Sequence, residues 1–241
     1  MIGRVSVSQP GFPHTVKQLL EVMNYFGIDE ALVYHSLSKE SHPAYGNQVL
    51  LEEITHTKRL HGMWVLMPGY TAELPKEDKL IKEMLGQGIK AARVFPGINR
   101  HNFSLKDWCA GRLLRALEKK LIPLFIDNDE INWDTVYELC SQYPKLPIVL
   151  TNVGYRINRF LYPLLERFRN LHIEISGYYG HRGIEVLTER FGAERLLFGT
   201  KLPYFTPASA IGMLLYAQMK ESDKRLIAGG NLKRLLGRVR Q

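Results

Sequence analysis

The sequence predicts an α/β protein, a (β/α)8 TIM-like barrel with a truncated or irregular first strand. Short apolar runs alternate with longer amphipathic helical patterns along the whole chain. Successive runs start roughly 24 to 32 residues apart, the length of one strand–helix unit. No linker, low-complexity tract or shift of composition divides the chain, so residues 1–241 read as one domain, and barrels of about 250 residues routinely fold as one.

The elements follow in order. Arg4-Val-Ser-Val-Ser8 alternates and is the candidate first strand, although it is short and polar. Val16, Leu19, Leu20 and Met23 recur at helical spacing, and the run Ala31–Tyr34 comes next. Further runs are Met63–Met67, Ala91–Phe95, Pro123–Ile126, Ile148–Leu150, Leu171–Ile175 and Leu196–Phe198. Each is apolar and β-branched or aromatic, as strands buried on both faces are. Between them, Leu113, Leu114, Leu117 and Leu121 mark one helix and Leu161, Leu164, Leu165 and Phe168 another. Ser104 and Asn132 stand where helix N-caps are expected. Gly27, Gly62 and Gly88 precede strands, where a left-handed residue closes the preceding helix without steric cost. If Arg4–Ser8 fails as a strand, the barrel opens between the Ala31 and Leu196 runs. Two exposed edges would then give a motive for self-association into a homo-oligomer. A doubly wound open sheet is the alternative architecture, but no glycine-rich phosphate loop follows an early strand.

Composition narrows the functional classes. With 45% hydrophobic and 23% charged residues the chain is ordinary globular protein, not a coiled coil, fibrous repeat or disordered tail. No apolar stretch approaches the roughly 18 residues of a membrane span, and the first ten residues lack a secretory pattern. Cys109 and Cys140 show neither a disulfide framework nor metal-ligand spacing. A cytoplasmic protein without membrane association is expected. The net charge of +8 comes from 32 Lys+Arg against 24 Asp+Glu, and both signs are dispersed. Only Lys233, Arg234, Arg238 and Arg240 form a one-signed tail, which the macrodipole favours at a helix C-terminus. Nucleic acid is therefore not the expected partner. A basic scaffold binding RNA or a protein through that tail is nevertheless a third reading.

In such a barrel, chemistry sits at the C-terminal ends of the strands. Those ends carry His35, Pro68–Tyr70, Pro96–Asn99, Asp127–Glu130, Thr151 and Asn152, Ser176–Tyr179, and Thr200 with Lys201. His35 is expected to point toward the mouth, where an imidazole suits proton transfer; a hydrogen-bonded structural ring is the plainer alternative. Arg93 lies mid-strand and needs a carboxylate partner if it points inward. Glu174 is the candidate, the pair serving either structure or the clamping of an anionic substrate. Tyr155 follows Asn152 and suits recognition of a ring or carboxylate, and His181 reaches over the mouth from the seventh loop. His42, His56 and His61 receive no role.

Three segments resemble a known family. Glu194–Pro203, containing Phe198-Gly199-Thr200-Lys201-Leu202-Pro203, is similar to the last strand of the amidohydrolase-related proteins, amidohydrolase family 2 of the metal-dependent hydrolases. There the run ends Phe-Gly-Ser-Asp-x-Pro. Ile227–Leu236, with Gly230-Asn231-Leu232, resembles that family's closing helix, and Gly27–His35 resembles its second strand. Ile2-Gly3-Arg4 looks like the stretch after its first strand, which would place that strand upstream of Met1 unless Val5–Val7 replaces it.

The resemblance implies hydrolysis or decarboxylation of small molecules with a divalent metal such as zinc. The metal would be held by His-x-His on the first strand, histidines on the fifth and sixth, and Asp on the eighth. A Lewis acid of this kind generates hydroxide near neutral pH. At the matching positions this chain has Asp127, Asn152 and Lys201, with no His-x-His near its start. Protonated lysine offers no lone pair to a metal, so no metal ligands and no cofactor are expected. Instead the Lys201 ammonium is expected to occupy the metal's volume and pair with Asp127. An opposite charge keeps such a lysine cationic rather than poised as a Schiff-base former. The leading reading is a barrel that binds or acts on a small anionic molecule, a hydrolase by family with a degenerate metal site, its catalytic activity left open. Its machinery would be Lys201, Asp127 and His35, with Arg93, Asn152, Tyr155, Glu174 and His181 contacting the ligand. The runner-up is a working non-metal hydrolase or lyase using the same three residues.

Overall fold

Parallel strands alternate with helices throughout the computed structural model, which describes residues 1–5 and 11–240. The first helix, α1 (Val16–Phe26), starts in a capping box: Thr15 Oγ1 accepts from the Gln18 amide at 3.2 Å, and the Gln18 side chain accepts from the Thr15 amide. It buries Leu19 and Met23 and ends at Gly27, whose φ of 67° is the left-handed stop expected there. Then come β1 (Ala31–Val33), α2 (Ser36–Glu40), α3 (Pro43–Ile54), β2 (Leu60–Gly62) and β3 (Trp64–Val65). The second and third strands are one course interrupted at Met63, whose amide donates to Val33 O at 2.8 Å. The chain continues through α4 (Glu77–Gly86), β4 (Ala92–Val94), α5 (Asp107–Lys120), β5 (Leu124–Asp127) and α6 (Trp133–Gln142). It closes with β6 (Ile148–Thr151), α7 (Asn158–Arg167), β7 (Leu171–Glu174), α8 (Gly183–Phe191), β8 (Leu196–Leu197), α9 (Pro207–Leu215), α10 (Glu221–Arg225) and α11 (Asn231–Gly237).

All strand pairs are parallel, β1 with β2 and then β3 through β8 in sequence order, the arrangement of a (β/α)8 barrel. The first stave is irregular. Of the candidate strand Arg4–Ser8, residues 6–8 lie outside the described residues, and Arg4 and Val5 are in no strand. Ile2 instead bridges to the end of β1: its amide donates to Tyr34 O at 2.9 Å, and its carbonyl accepts from the Ser36 amide at 2.8 Å.

Several local expectations need adjustment. Asn132 does cap α6, accepting from the Thr135 amide at 2.8 Å. Ser104 stands further out, bonding the Lys106 amide ahead of α5. Leu121 does not extend that helix but ends it in the left-handed region, with φ 55°. Gly88 is left-handed at φ 76°. Gly62 is not a helix stop: it lies inside β2, where a Cβ would press against Ile89.

Side-chain alternation along the strands sorts the interior into two regions. Val33, Ala92, Val94, Leu124, Ile126, Ile148, Leu150, Leu171, Ile173 and Leu196 face the helices and form the main core. The other parity points into the barrel. There Met63, Ala91, Phe125, Val149 and Leu197 make a separate apolar layer, closed by Leu235 of α11. Two residues further along these strands, the inward positions become Arg93, Asp127, Thr151 and Gly199, with Tyr34 and Glu174 on the flanking strands. Apart from the buried His172, which pairs in register with Val149, the barrel is thus apolar at its base and polar toward the strand ends.

Two buried polar side chains tie the last units together. Arg195 Nε donates to Leu171 O at 2.8 Å, and its terminal nitrogens donate to Leu165 O at 3.3 Å and Phe168 O at 2.5 Å. It therefore satisfies the open carbonyls at the end of α7 and the start of β7. Asn231 Nδ2 donates to Ala193 O and Leu196 O at 2.8 and 2.9 Å, fastening α11 beneath β8. Replacing Arg195 with Met strands three carbonyls in the core. We expect a loss of roughly 3 kcal/mol or more, since each unsatisfied buried group costs about 1–3 kcal/mol. The urea-unfolding free energy measures it, and a loss under about 1 kcal/mol would contradict the assigned role.

Candidate functional site

The polar layer is organised around one ion pair. Arg93 Nη2 on β4 donates to Asp127 Oδ1 on the neighbouring β5 at 2.6 Å and to Thr151 Oγ1 on β6 at 3.1 Å. The Thr151 hydroxyl donates in turn to Asp127 at 2.5 Å. Both charged side chains are enclosed, Arg93 9% and Asp127 15% exposed. The guanidinium also lies 5.0 Å from the ring centres of Tyr34 and Phe95, contacts that favour a cation. Burial by itself would raise the Asp127 pKa. The Arg93 charge and the Thr151 and Arg93 hydrogen bonds outweigh it and hold the carboxyl below its usual range. Arg93 Nε is buried without an acceptor among the described residues.

Glu174 sits in the same layer. Its carboxylate accepts from the Ser176 amide at 2.6 Å and from the Ser176 hydroxyl at 2.8 Å. Burial pushes its pKa up, against the pull of the Ser176 bonds and Arg93. Any side chain at position 199 would collide with this carboxylate, which is the physical reason for Gly199.

The rim adds two lysines. The Lys201 ammonium donates to Asn152 Oδ1 and lies 4.7 Å over the Phe205 ring. Both residues of this contact are left-handed, with φ 51° and 58°, a conformation costly for non-glycine residues and common at functional sites. Lys39, on α2, places its ammonium 5.0 Å over Phe95 and 6.0 Å over Tyr204. Burial lowers its pKa, partly offset by Asp127. Among the described residues neither lysine forms an ion pair within 4.0 Å. Arg100 and Glu130, at 3.8 Å, complete this side, with Glu130 accepting from the Gly97 amide at 2.7 Å.

Three sequence expectations are corrected by this geometry. Lys201 does not pair with Asp127: the carboxylate is taken by Arg93 one strand away, and the left-handed turn at Lys201 leads its side chain to Asn152. Glu174 is not the hydrogen-bonding partner of Arg93, because β7 lies three strands from β4 and Ser176 occupies both of its oxygens. His35 does not join the cluster. It follows the inward Tyr34 and so turns outward, where Nδ1 accepts from the Leu37 amide at 3.2 Å, capping α2, and Nε2 lies 3.7 Å from Glu53. Tyr155 and His181 are exposed, and among the described residues neither hydrogen-bonds the Arg93–Asp127 layer, which leaves their expected ligand contacts untested.

Sequence reasoning passed over Lys39, Phe95, Tyr204 and Phe205, and placed Thr151 at a strand end without giving it a role. Thr151 was accessible by counting alternation from Val149. Lys39 carried no periodic signal, because it reaches the mouth from a short helix beyond the strand.

The donor chemistry does not fit a divalent ion. At the positions where the resemblance implies metal ligands stand a carboxylate already neutralised by Arg93, an amide and an ammonium. Among the described residues no group of three or more His, Cys, Asp or Glu is placed to hold a metal. No helix in them is long and apolar enough to cross a membrane.

The model of the Amidohydro_2 family, described as amidohydrolase, matches residues 35–238. No curated protein matches the chain. Among solved structures, an uncharacterized TIM-barrel protein from Bordetella bronchiseptica is 18% identical, with a TM-score of 0.75 over 93% of this chain and 83% of that one. A 2,6-dihydroxybenzoate decarboxylase from Rhizobium is 16% identical, with a TM-score of 0.73 over 93% and 89%. The 5-carboxyvanillate decarboxylase LigW from Sphingomonas paucimobilis is 17% identical, with a TM-score of 0.70 over 92% and 82%. At these identities the likeness speaks for the barrel fold.

Breaking the ion pair from one side should be worse than removing it whole. Arg93→Met strands the Asp127 carboxylate and should cost roughly 3–5 kcal/mol, whereas Arg93→Met with Asp127→Leu should recover much of that loss. Equal losses in the single and double variants would argue against the pair. Asp127 also has a pH signature. Its stabilising contribution is present above the ordinary carboxyl value of 3.8 and is lost as pH falls through the lower folded value. The stability gap between the wild type and Asp127→Asn should therefore narrow on acidification below about pH 4. Unfolding curves between neutral and acid pH measure this, and a gap that widens toward acid contradicts it.

Proposed function

The chain belongs to the amidohydrolase family that residues 35–238 match, and from that premise we propose that its strand ends receive a small organic anion, at a site whose metal-binding function has been lost. One observation carries the reading: Lys39 and Lys201 stand on the rim with aromatic rings and a neutral amide as their contacts, while the enclosed carboxylate is committed to Arg93. The rim is therefore left with two ammonium groups that, among the described residues, no acid contacts within 4.0 Å. An anion entering between them would find charge-assisted donors in a partly desolvated setting, where such bonds are strongest. An acceptor brought by the ligand would also relieve the orphaned Arg93 Nε. Phe95, Tyr204 and Phe205 supply apolar walls.

The names of the structural neighbours agree with this chemistry, since dihydroxybenzoate and carboxyvanillate are carboxylates. The proposal assigns binding and no catalytic step. A non-metal hydrolase or lyase built on Lys201, Asp127 and His35 has less support, because among the described residues no hydrogen bond or ion pair joins the three side chains. A basic scaffold is weakened as well. Lys233 binds Glu30 at 2.8 Å and Arg234 bonds Glu194 O at 2.9 Å, so half of the C-terminal cations are engaged within the chain. A cytoplasmic setting, with Cys109 and Cys140 as thiols, belongs to the same proposal.

Thermal unfolding against a panel of small carboxylates and their matched primary amides tests the reading. Carboxylates should raise the midpoint and amides should not. Lys39→Met and Lys201→Met should each weaken carboxylate binding by roughly tenfold or more, as expected for a charge-assisted hydrogen bond. Binding that is unchanged in both variants would overturn the proposal.

A further inference from the structure

A second cleft lies where the turn Tyr155–Ile157 runs into α7. It is lined by Tyr155, Arg156, Asn158, Arg159, Tyr162 and Pro163, with a volume of about 740 Å³. It is shallow and open to solvent over most of its boundary. Its lining includes none of Lys39, Arg93, Asp127, Thr151, Glu174 and Lys201.

Its floor is ordered by a hydrogen-bond network. Tyr178 OH donates to Asn158 Oδ1 at 2.7 Å, Asn158 Nδ2 donates to Tyr162 OH at 3.1 Å, and the two phenols lie 3.4 Å apart. Each polar group of the floor is therefore committed inward. One wall is the Tyr155 ring. A Cβ at Gly180 would lie 3.1 Å from Tyr155 Cβ, so the glycine backbone braces the base of the side chain while 47% of the residue stays exposed.

The charge of the cleft is one-sided. No acid lines it. Two nearby arginines are paired, Arg190 with Glu166 at 2.8 Å and Arg182 with Glu189 at 3.7 Å. Arg156 and Arg159 have neither an ion pair nor a side-chain hydrogen bond among the described residues.

We infer that this cleft is an accessory binding site for a small ligand that joins a planar ring to an anionic group. The two guanidinium groups present forked donors matched to phosphate or carboxylate oxygens, and the braced Tyr155 ring offers a face for stacking. Both features are needed. The arginines alone would hold any passing ion, and the ring alone would not select an anion. The inference does not depend on the strand-end reading.

Phenyl phosphate is a suitable probe, with inorganic phosphate and phenol as its two halves. Titration of the wild-type chain, followed by amide chemical shifts, should move residues 154–160 saturably. Phenyl phosphate should bind more tightly than either half. The exposed Arg156→Ala/Arg159→Ala variant should bind it roughly tenfold more weakly or worse, the loss expected for charge-assisted bonds, and Tyr155→Ala should erase its advantage over inorganic phosphate. Shifts confined to the strand-end residues 199–205, or unchanged affinity in the arginine variant, would overturn the inference. Shifts at 154–160 without any at 199–205 would uphold it even if the strand-end proposal failed.

Discussion

A guanidinium buried inside a barrel must meet a counter-charge, and the Arg93–Asp127 pair meets that requirement here. Arginine cannot shed its proton to escape the cost of burial, so a carboxylate has to stand within reach. The adjacent strand supplies one at 2.6 Å, and Thr151 on the next strand shares both partners. This pair sets the electrostatics of the mouth. It uses up the acid that a cation would otherwise seek, and it leaves the rim lysines facing rings and an amide.

The barrel was legible because its strands obey two simple patterns. Apolar runs at regular spacing gave the staves, and the parity of each run separated the helix-facing side chains from the inward ones. Tyr34 and His35 illustrate the strength of parity. Had alternation been applied at that strand end, the outward turn of His35 and the inward turn of Tyr34 would have been evident. The misreadings came where backbone conformation departs from a regular element. Leu121 and Lys201 are non-glycine residues in the left-handed region, which no local pattern announces. The partner of Lys201 follows from that turn and not from charge, so pairing by opposite sign pointed to Asp127. Gly62 misled in the opposite sense, since a glycine before a strand reads as a helix stop when its use is to admit Ile89.

The family motifs also acquire physical meanings apart from any metal. Arg195 satisfies carbonyls at the end of a helix, Gly199 leaves room for the Glu174 carboxylate, and Asn231 fastens the closing helix under the last strand. These residues maintain the barrel whatever occupies its mouth. Retention of the scaffold beside a changed set of strand-end donors is the pattern behind the proposed exchange of a metal for an organic anion. The accessory cleft lies outside that exchange, on α7, and is joined to the loop after β7 through Tyr178.

The most direct measurement of this account is the equilibrium binding of zinc to the purified chain, by elemental analysis after dialysis against buffered metal. The Arg93–Asp127 pair and the Lys201 ammonium should leave the strand ends without stoichiometric zinc, and Asp127→Asn should not alter the amount retained. One zinc per chain, lost on that substitution, would contradict it.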